Sequence, residues 1–373
     1  MKLYYVANAR MPTEKAHGIQ IAKMCEAFIE AGISLTLVVP SRGTVAQSVQ
    51  EFYKLRLPVP IVRLPVLDLY IWGRFGYRVS SYIFMAESVV FLLWKKIKGY
   101  SFIVYTVDLD NFSSSALPLA GMPIFSEMHG GKPNTFAQRL LFRFASGIIA
   151  INSIIIEELK KSFPSSPARY CVESNGVDDA SFVTTDKKEA RKQLGLPQDE
   201  RIVLYAGRFF DWKGLEILPH AALLAPYIQW YIVGGDKKQF KDLVGGFLTD
   251  NMHFEGSRPH DEMRLWYSAA DALVVLGTKR DTQSYFYTSP MKLFEYMLSR
   301  RPIIASATPA IRQVVSETEA LFYESDNAKD LADKVAYAIG HDALAEARMT
   351  AAEIKGRQMS WKARAERIKK FMK

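Results

Sequence analysis

Short, almost wholly apolar runs recur along this chain, and between them the apolar residues fall at helical spacing. Such runs do not suit an antiparallel sheet with one face in water, where alternate residues are polar. They suit strands covered on both faces, in parallel sheets wrapped by helices. In the first half the pattern predicts strands at 2–7, 34–39, 61–64, 102–106, 123–128, 147–151 and 169–173. Helices are predicted at 19–30, 78–97 and near 134–144, with a further helix capped by Asn152 or Ser153. The second half predicts strands at 202–206, 229–233, 252–255, 272–276 and 302–305. Its helices run from Gly214, after Asp236, at 260–270 and at 290–299, and an amphipathic tail follows from Leu331.

A chain of 373 residues has room for two such cores. The composition turns polar at Ser174-Asn175-Gly176-Val177-Asp178-Asp179 and stays charge-rich to Glu200. We therefore expect an α/β protein of two Rossmann-like, doubly wound domains facing a central cleft. The first covers 1–174, a linker 175–200, the second 201–350, and a closing helix at 351–373 turns back toward the first. Two cysteines, Cys25 and Cys171, are too few for a disulfide framework or a zinc site and read as buried thiols in a reducing compartment. The apolar run at the N-terminus is too short for a secretion signal, and 79–94, broken by Glu87, is too short to span a bilayer. A cytoplasmic location follows as the expectation.

The formal charge is +9, and it is uneven. Between Arg42 and Lys98 nine basic residues face only Glu51, Asp68 and Glu87, a surplus of six. Trp72, Phe75, Tyr82, Phe91 and Trp94 lie in the same stretch. Cations among aromatics suit an anionic membrane surface, here through residues 56–98, or else a solvated basic face over core aromatics. No nucleic-acid motif occurs, so nucleic acid is not an expected partner.

Neither domain carries G-x-G-x-x-G or a Walker A loop, which argues against nicotinamide, flavin and P-loop chemistry. Ligands of such sheets bind beyond the carboxyl ends of the strands, so the strand-to-helix loops carry the candidates. In Tyr205-Ala206-Gly207-Arg208-Phe209-Phe210-Asp211-Trp212-Lys213-Gly214, Gly207 permits a sharp turn, and Arg208 and Lys213 set a guanidinium fork and a point charge in one loop. Two cations before a helix suit a diphosphate. In Tyr287-Thr288-Ser289-Pro290-Met291-Lys292-Leu293-Phe294-Glu295, Ser289 reads as an N-cap with Pro290 at the first helical position. Glu295 can accept both hydroxyls of a ribose, or serve as a surface carboxylate, or pair with Lys292.

Together these residues resemble the GT-B glycosyltransferases and, within them, the large retaining group called family 4. The matching text is G-R-x4-K-G at 207–214, Val233-Gly234-Gly235-Asp236, Phe254-x-Gly256, Leu265-Trp266-Tyr267-Ser268-Ala269-Ala270-Asp271-Ala272, and S-P-M-K-L-F-E-Y-M from Ser289 with R-P-I-I-A behind it. Asn175-Gly176-Val177-Asp178 matches the interdomain hinge, and the first half contributes Glu127-Met128-His129-Gly130. The resemblance implies a nucleotide-diphospho-sugar donor held mainly by the second domain, with Arg208 and Lys213 on the diphosphate and Glu295 on the ribose. Gly207, Gly234, Gly256, Thr288 and Ser289 would complete the donor contacts. His129 would face the transferred sugar, and Gly18 would let backbone amides approach donor phosphate or acceptor. It further implies retention and no metal or cofactor, the cationic loop acting where a magnesium ion otherwise would. The acceptor would be a glycan or a lipid-linked precursor.

The sequence departs from the family at Tyr287, where many members carry a second glutamate eight residues before the ribose-binding one. Tyr287 therefore stands as an uncertain sugar contact, and Asp281 is the nearest upstream acid. Asp108-Leu109-Asp110 has D-x-D spacing, but it ends a first-domain strand and reads as a loop rather than a metal site. Two rival readings are a sugar-nucleotide epimerase on the same architecture, which needs an acid and base pair not seen here, and a non-catalytic partner subunit. Tyr287 favours the latter, while Arg208, Lys213 and Glu295 speak against it.

Overall fold

The computed structural model describes residues 1–43, 47–179 and 182–373. Residues 44–46 of the expected loop after the second strand, and 180–181 of the expected linker, lie outside the described residues. The chain forms two units, Met1–Ser174 with Trp361–Lys373, and Asn175–Ser360.

The first unit holds seven parallel strands: β1 (Lys2–Val6), β2 (Ser34–Ser41), β3 (Ile61–Pro65), β4 (Ile103–Val107), β5 (Ile124–Met128), β6 (Gly147–Ala150) and β7 (Arg169–Val172). Their order is β3-β2-β1-β4-β5-β6-β7. Every residue of β5 and β6 is buried, as the apolar runs require of strands covered on both faces. The helix after β6, Ser153–Ser162, is capped by Asn152, whose Oδ1 accepts from the amide of Ile155 at 2.9 Å. The helix expected at 78–97 begins earlier, at Gly73. Cys25 is buried as expected, and Cys171 is half-buried.

The second unit holds β8 (Ile202–Ala206), β9 (Gln229–Val233), β10 (Met252–Phe254), β11 (Ala272–Val275), β12 (Ile303–Ser306) and β13 (Leu321–Tyr323), all parallel, in the order β10-β9-β8-β11-β12-β13. Alternate residues of β8 feed opposite cores: Ile202, Leu204 and Ala206 pack with Phe294 and Met297, and Val203 and Tyr205 with Leu218 and Trp230. Residues expected to form a linker are tied into this unit. Arg191 of the helix Lys187–Leu194 is buried, donates to Asp271 at 2.7 Å and binds the carbonyls of Gln198, Glu200 and Ala269.

Two helix starts differ from the reading of the sequence. After β8 the chain makes a short 3-10 turn, Asp211–Lys213, and the helix begins only at Ile217. Gly214 at φ 74° breaks the first turn, and Pro219, lacking an amide hydrogen, belongs in the first turn of any helix that contains it. Arg208 and Lys213 thus lie in a loop ahead of the helix rather than at its first turn. Ser289 is not an N-cap: the helix is Met291–Leu298, Pro290 occupies the cap position, and no side chain caps it.

The tail is three helices, Ala328–Gly340, Asp342–Gln358 and Trp361–Phe371. Only the last belongs to the first unit, so the closing segment runs from Trp361 and not from residue 351. It docks where Gly147 has no side chain; a Cβ there would stand 2.7 Å from ring atoms of Phe125 and Phe371. Its fully buried Arg364 reaches Glu127 of β5 at 2.8 Å and donates to the carbonyls of Ser174 and Glu173. Burial alone would raise the carboxyl of Glu127, but Arg364 and then His129 outweigh it and hold the group at about 2.

Breaking a buried pair from one side leaves an uncompensated charge and costs about 3–5 kcal/mol. Glu127→Gln should destabilise the first unit by that amount at neutral pH, read by hydrogen exchange of its strand amides. The folded group titrates below its ordinary value, so its stabilisation is complete above about pH 4.5 and fades as pH falls toward 2. Wild type and variant should therefore converge in acid; equal protection at neutral pH would contradict the pairing.

Candidate functional site

At the carboxyl end of β8 the backbones of neighbouring strand ends come close. The amide of Gly207 donates to Val233 at 2.8 Å, and that of Gly234 to Gly256 at 2.7 Å. Gly234 has φ 136°, and a Cβ on it would sit 2.2 Å from the Gly207 carbonyl oxygen, so no side chain fits there. Beside Gly256 an open pocket of about 470 Å³ is lined by Asp236, Lys237, Met252, His253, Phe254 and Glu255.

Three cations gather around this turn. Lys213 donates from Nζ to the carbonyl of Arg208 at 2.9 Å, and Lys292 places Nζ 3.8 Å from the centroid of the Tyr205 ring. Both ammonium groups lie within 4 Å of where a side chain on Gly207 would begin. Burial, and then Arg208, lowers Lys213 to about 8. Burial, and then Lys213, pushes Lys292 well down. Among the described residues neither lysine has a carboxylate at ion-pair distance. Lys292 is thus no partner of Glu295, and it is the member of this cluster that the sequence does not reveal: its motif is visible there, but not the direction of its side chain.

Glu295 is held from the helix Met263–Ala269 and the turn before it. The Tyr267 hydroxyl donates to Oε2 at 2.6 Å, and His260 Nε2 lies 3.0 Å from Oε1. Helix Met291–Leu298 is pinned to β8 because the amide of Ala206 donates to the Tyr296 hydroxyl at 3.2 Å. Just before it, Gln283–Tyr287 forms a π-helical turn closed by the Thr288 amide onto Gln283. Tyr287 ends this turn, and Asp281 begins it by accepting from the Ser284 amide at 2.9 Å. Ser289 is buried, its carbonyl accepts from Asn175 Nδ2 at 2.9 Å, and its hydroxyl has no partner among the described residues. The structure therefore brings Gly207, Arg208, Lys213, Gly234 and Gly256 together, with Lys292, and gives Glu295 its own supports.

In the first unit His129 follows β5, and its Nε2 lies 2.9 Å from Glu127 Oε1. Glu127 also accepts from Gln20 at 2.9 Å and from the Tyr105 hydroxyl. The Nε2 of His129 that faces the ionised Glu127 is the donor of this contact. Gly18 lies inside helix Ala16–Glu30, where a Cβ would meet the Tyr53 hydroxyl at 2.3 Å; that hydroxyl bonds the amide and carbonyl of Thr13. Asp108 pairs with Lys132. Asp110 accepts from the amides of Phe112 and Ser113 and from Asn8 and Tyr77, which makes both acids of the D-x-D text parts of a loop scaffold.

Residues 186–355 match the family described as glycosyl transferases group 1. D-inositol 3-phosphate glycosyltransferase 1 of Catenulispora acidiphila is 28% identical over 187 residues, 46% of this chain and 43% of that protein. D-inositol 3-phosphate glycosyltransferase of Nocardioides sp. is 25% identical over 240 residues, 58% and 51% of the two chains. This chain spans about half the length of these curated relatives. Among solved structures, sucrose-phosphate synthase from Thermosynechococcus elongatus superposes with a TM-score of 0.74 at 20% identity, covering 99% of this chain and 98% of that one. HepE from Anabaena, in complex with UDP and glucose, gives 0.72 at 17% identity, covering 100% and 99%. The resemblance to GT-B glycosyltransferases is borne out, through the group 1 match over residues 186–355, and the fold is the α/β GT-B fold.

Proposed function

We propose that this protein is a retaining glycosyltransferase that moves a sugar from a nucleotide-diphospho-sugar to a glycan or lipid-linked acceptor. The observation that carries this reading is the cluster of Arg208, Lys213 and Lys292 around Gly207, in which both lysines are partly withdrawn from water and, among the described residues, without a carboxylate. Cations held in that state are poorly solvated, and a diphosphate is the ligand whose charge offsets the cost. The name of the Anabaena neighbour's complex, with UDP and glucose, supports a nucleoside diphosphate, and the relatives' names support glycosyl transfer.

In this reading negative charge grows on the diphosphate as its bond to the sugar breaks, and Arg208 and Lys213 stabilise it. The backbone turns at Gly207, Gly234 and Gly256 let the ligand approach, and the open pocket beside Gly256 has room for the base. Glu295 accepts the ribose hydroxyls with its carboxylate fixed by Tyr267 and His260, and Thr288 and Ser289 line the same helix start. His129, oriented by Glu127, faces the transferred sugar. The reaction is proposed as metal-independent, because lysine and arginine supply the charge and Asp108 and Asp110 are engaged elsewhere.

The first unit adds a proposed peripheral site on the inner face of the cytoplasmic membrane. Ile71, Trp72 and Phe75 are 88%, 59% and 68% exposed, beside exposed Arg74 and Arg78. Apolar tips among cations suit an anionic bilayer, where a lipid-linked acceptor would be met. No helix among the described residues is long and apolar enough to cross a membrane.

Alanine at Arg208 or Lys213 should lower kcat/KM by about 2–4 kcal/mol in transition-state terms, and Glu295→Gln should raise the donor KM about tenfold with kcat retained. A donor screen over UDP-, GDP- and ADP-sugars by thermal shift supplies the substrate for that assay. Unchanged kinetics in the Arg208 and Lys213 variants would remove the donor-site reading. Vesicle sedimentation tests the membrane site: binding should require anionic lipid, weaken with salt, and fall in Trp72→Ser with Phe75→Ser. Equal, negligible binding to anionic and neutral vesicles would refute it.

A further inference from the structure

Lys292 stands apart from the two cations that the loop after β8 supplies. It comes from a different element, helix Met291–Leu298, and crosses to lie over the Tyr205 ring with Nζ 3.8 Å from the centroid. The groups that face it are Tyr205 from β8 and Lys213 from the loop. Neither is a carboxylate, and Glu295, one turn on, is bonded to Tyr267 and His260 instead. The Tyr205 hydroxyl, also buried, has no partner among the described residues. A second ammonium, Lys213, shares the same bare patch of Gly207. Two like charges brought out of water side by side disfavour each other's protonation, so the empty site holds less than its full charge.

We propose that Lys292 is a third diphosphate-binding cation and that nucleoside diphosphate enters this site together with a proton. The inference rests on the donor-site reading above. A diphosphate placed against Gly207 reverses the balance that keeps the lysines undercharged: the anion favours the ammonium form of both, and the missing charge is filled by a proton from solvent. No bond is made or broken; one lysine amine takes up H⁺ as the anion binds. A side chain that only packed on Tyr205 would need no nitrogen there, and methionine would fill the same space without repelling Lys213. With Lys213 lowered to about 8 and Lys292 also lowered by burial, the uptake falls at and above neutral pH, where the second ionisation of a phosphate, near about 6, is complete and the ligand itself stays silent.

The test is calorimetric titration of the full chain with UDP, GDP and ADP at about pH 8, in buffers of high and low ionisation enthalpy, whose difference in observed heat counts protons. Wild type should take up a substantial fraction of a proton with whichever nucleotide binds, and its affinity should fall as pH rises above about 8. Lys292→Met should fold with a Tm no lower than wild type, bind at least about tenfold more weakly, and take up less proton than wild type, keeping only the share of Lys213. Arg208→Ala should bind weakly yet keep the uptake, because a guanidinium does not titrate in this range. If Arg208→Ala weakens binding while Lys292→Met binds like wild type and no proton is taken up, the role of Lys292 is overturned and the donor site stands. If wild type binds none of the three nucleotides, both fall together.

Discussion

Arg364 is fully buried in the first unit, 2.8 Å from Glu127 and in contact with the carbonyls of Glu173 and Ser174. These contacts gather the last helix, the inner strand β5 and the end of the chain segment that follows β7. A guanidinium has enough donors to serve all three at once, which a lysine in its place could not do in fixed geometry. The same carboxylate takes Gln20, Tyr105 and His129, so the orientation of His129 depends on a residue from the far end of the chain. Glu127 is the hub of a buried polar network, its carboxylate held by Arg364, His129, Gln20 and Tyr105 together.

The second unit treats desolvated charge in the opposite way. Arg191 is matched by Asp271, as Arg364 is by Glu127, and that pair binds the former linker to the sheet. At the end of β8, however, Lys213 and Lys292 are partly removed from water, against a carbonyl and aromatic faces and, among the described residues, with no carboxylate at ion-pair distance. Paired charge marks the scaffold in both units. In the donor-site reading, unpaired charge of one sign, set over glycines that expose backbone, is what a diphosphate offsets. On this contrast the donor-site reading rests, more than on any single residue in it.

The fold was largely legible because strands buried on both faces must be apolar throughout, and those runs announce themselves. β13 escaped because a three-residue strand at a sheet edge leaves no run to see. The helix after β8 starts late for a reason that was present in the text, Gly214 and Pro219, but the strength of the cation motif drew the reading toward a helix at once. Glu295 was identified from its motif, whereas its supports, Tyr267 on the helix Met263–Ala269 and His260 in the turn before it, carry no spacing that ties them to it. Lys292 and Glu295 sit at a spacing that suggests a pair, and only the direction of each side chain shows that they part. Arg364 and Glu127 meet from opposite ends of the chain, a contact that no local pattern encodes.

The most direct test of the central claim is a crystal structure with a saturating nucleoside diphosphate chosen by the thermal-shift screen. The account predicts diphosphate oxygens within hydrogen-bond distance of Lys213 and Lys292 against Gly207, and the ribose hydroxyls on Glu295. A nucleotide seated elsewhere, with the two lysines still facing Arg208 and Tyr205, would contradict it.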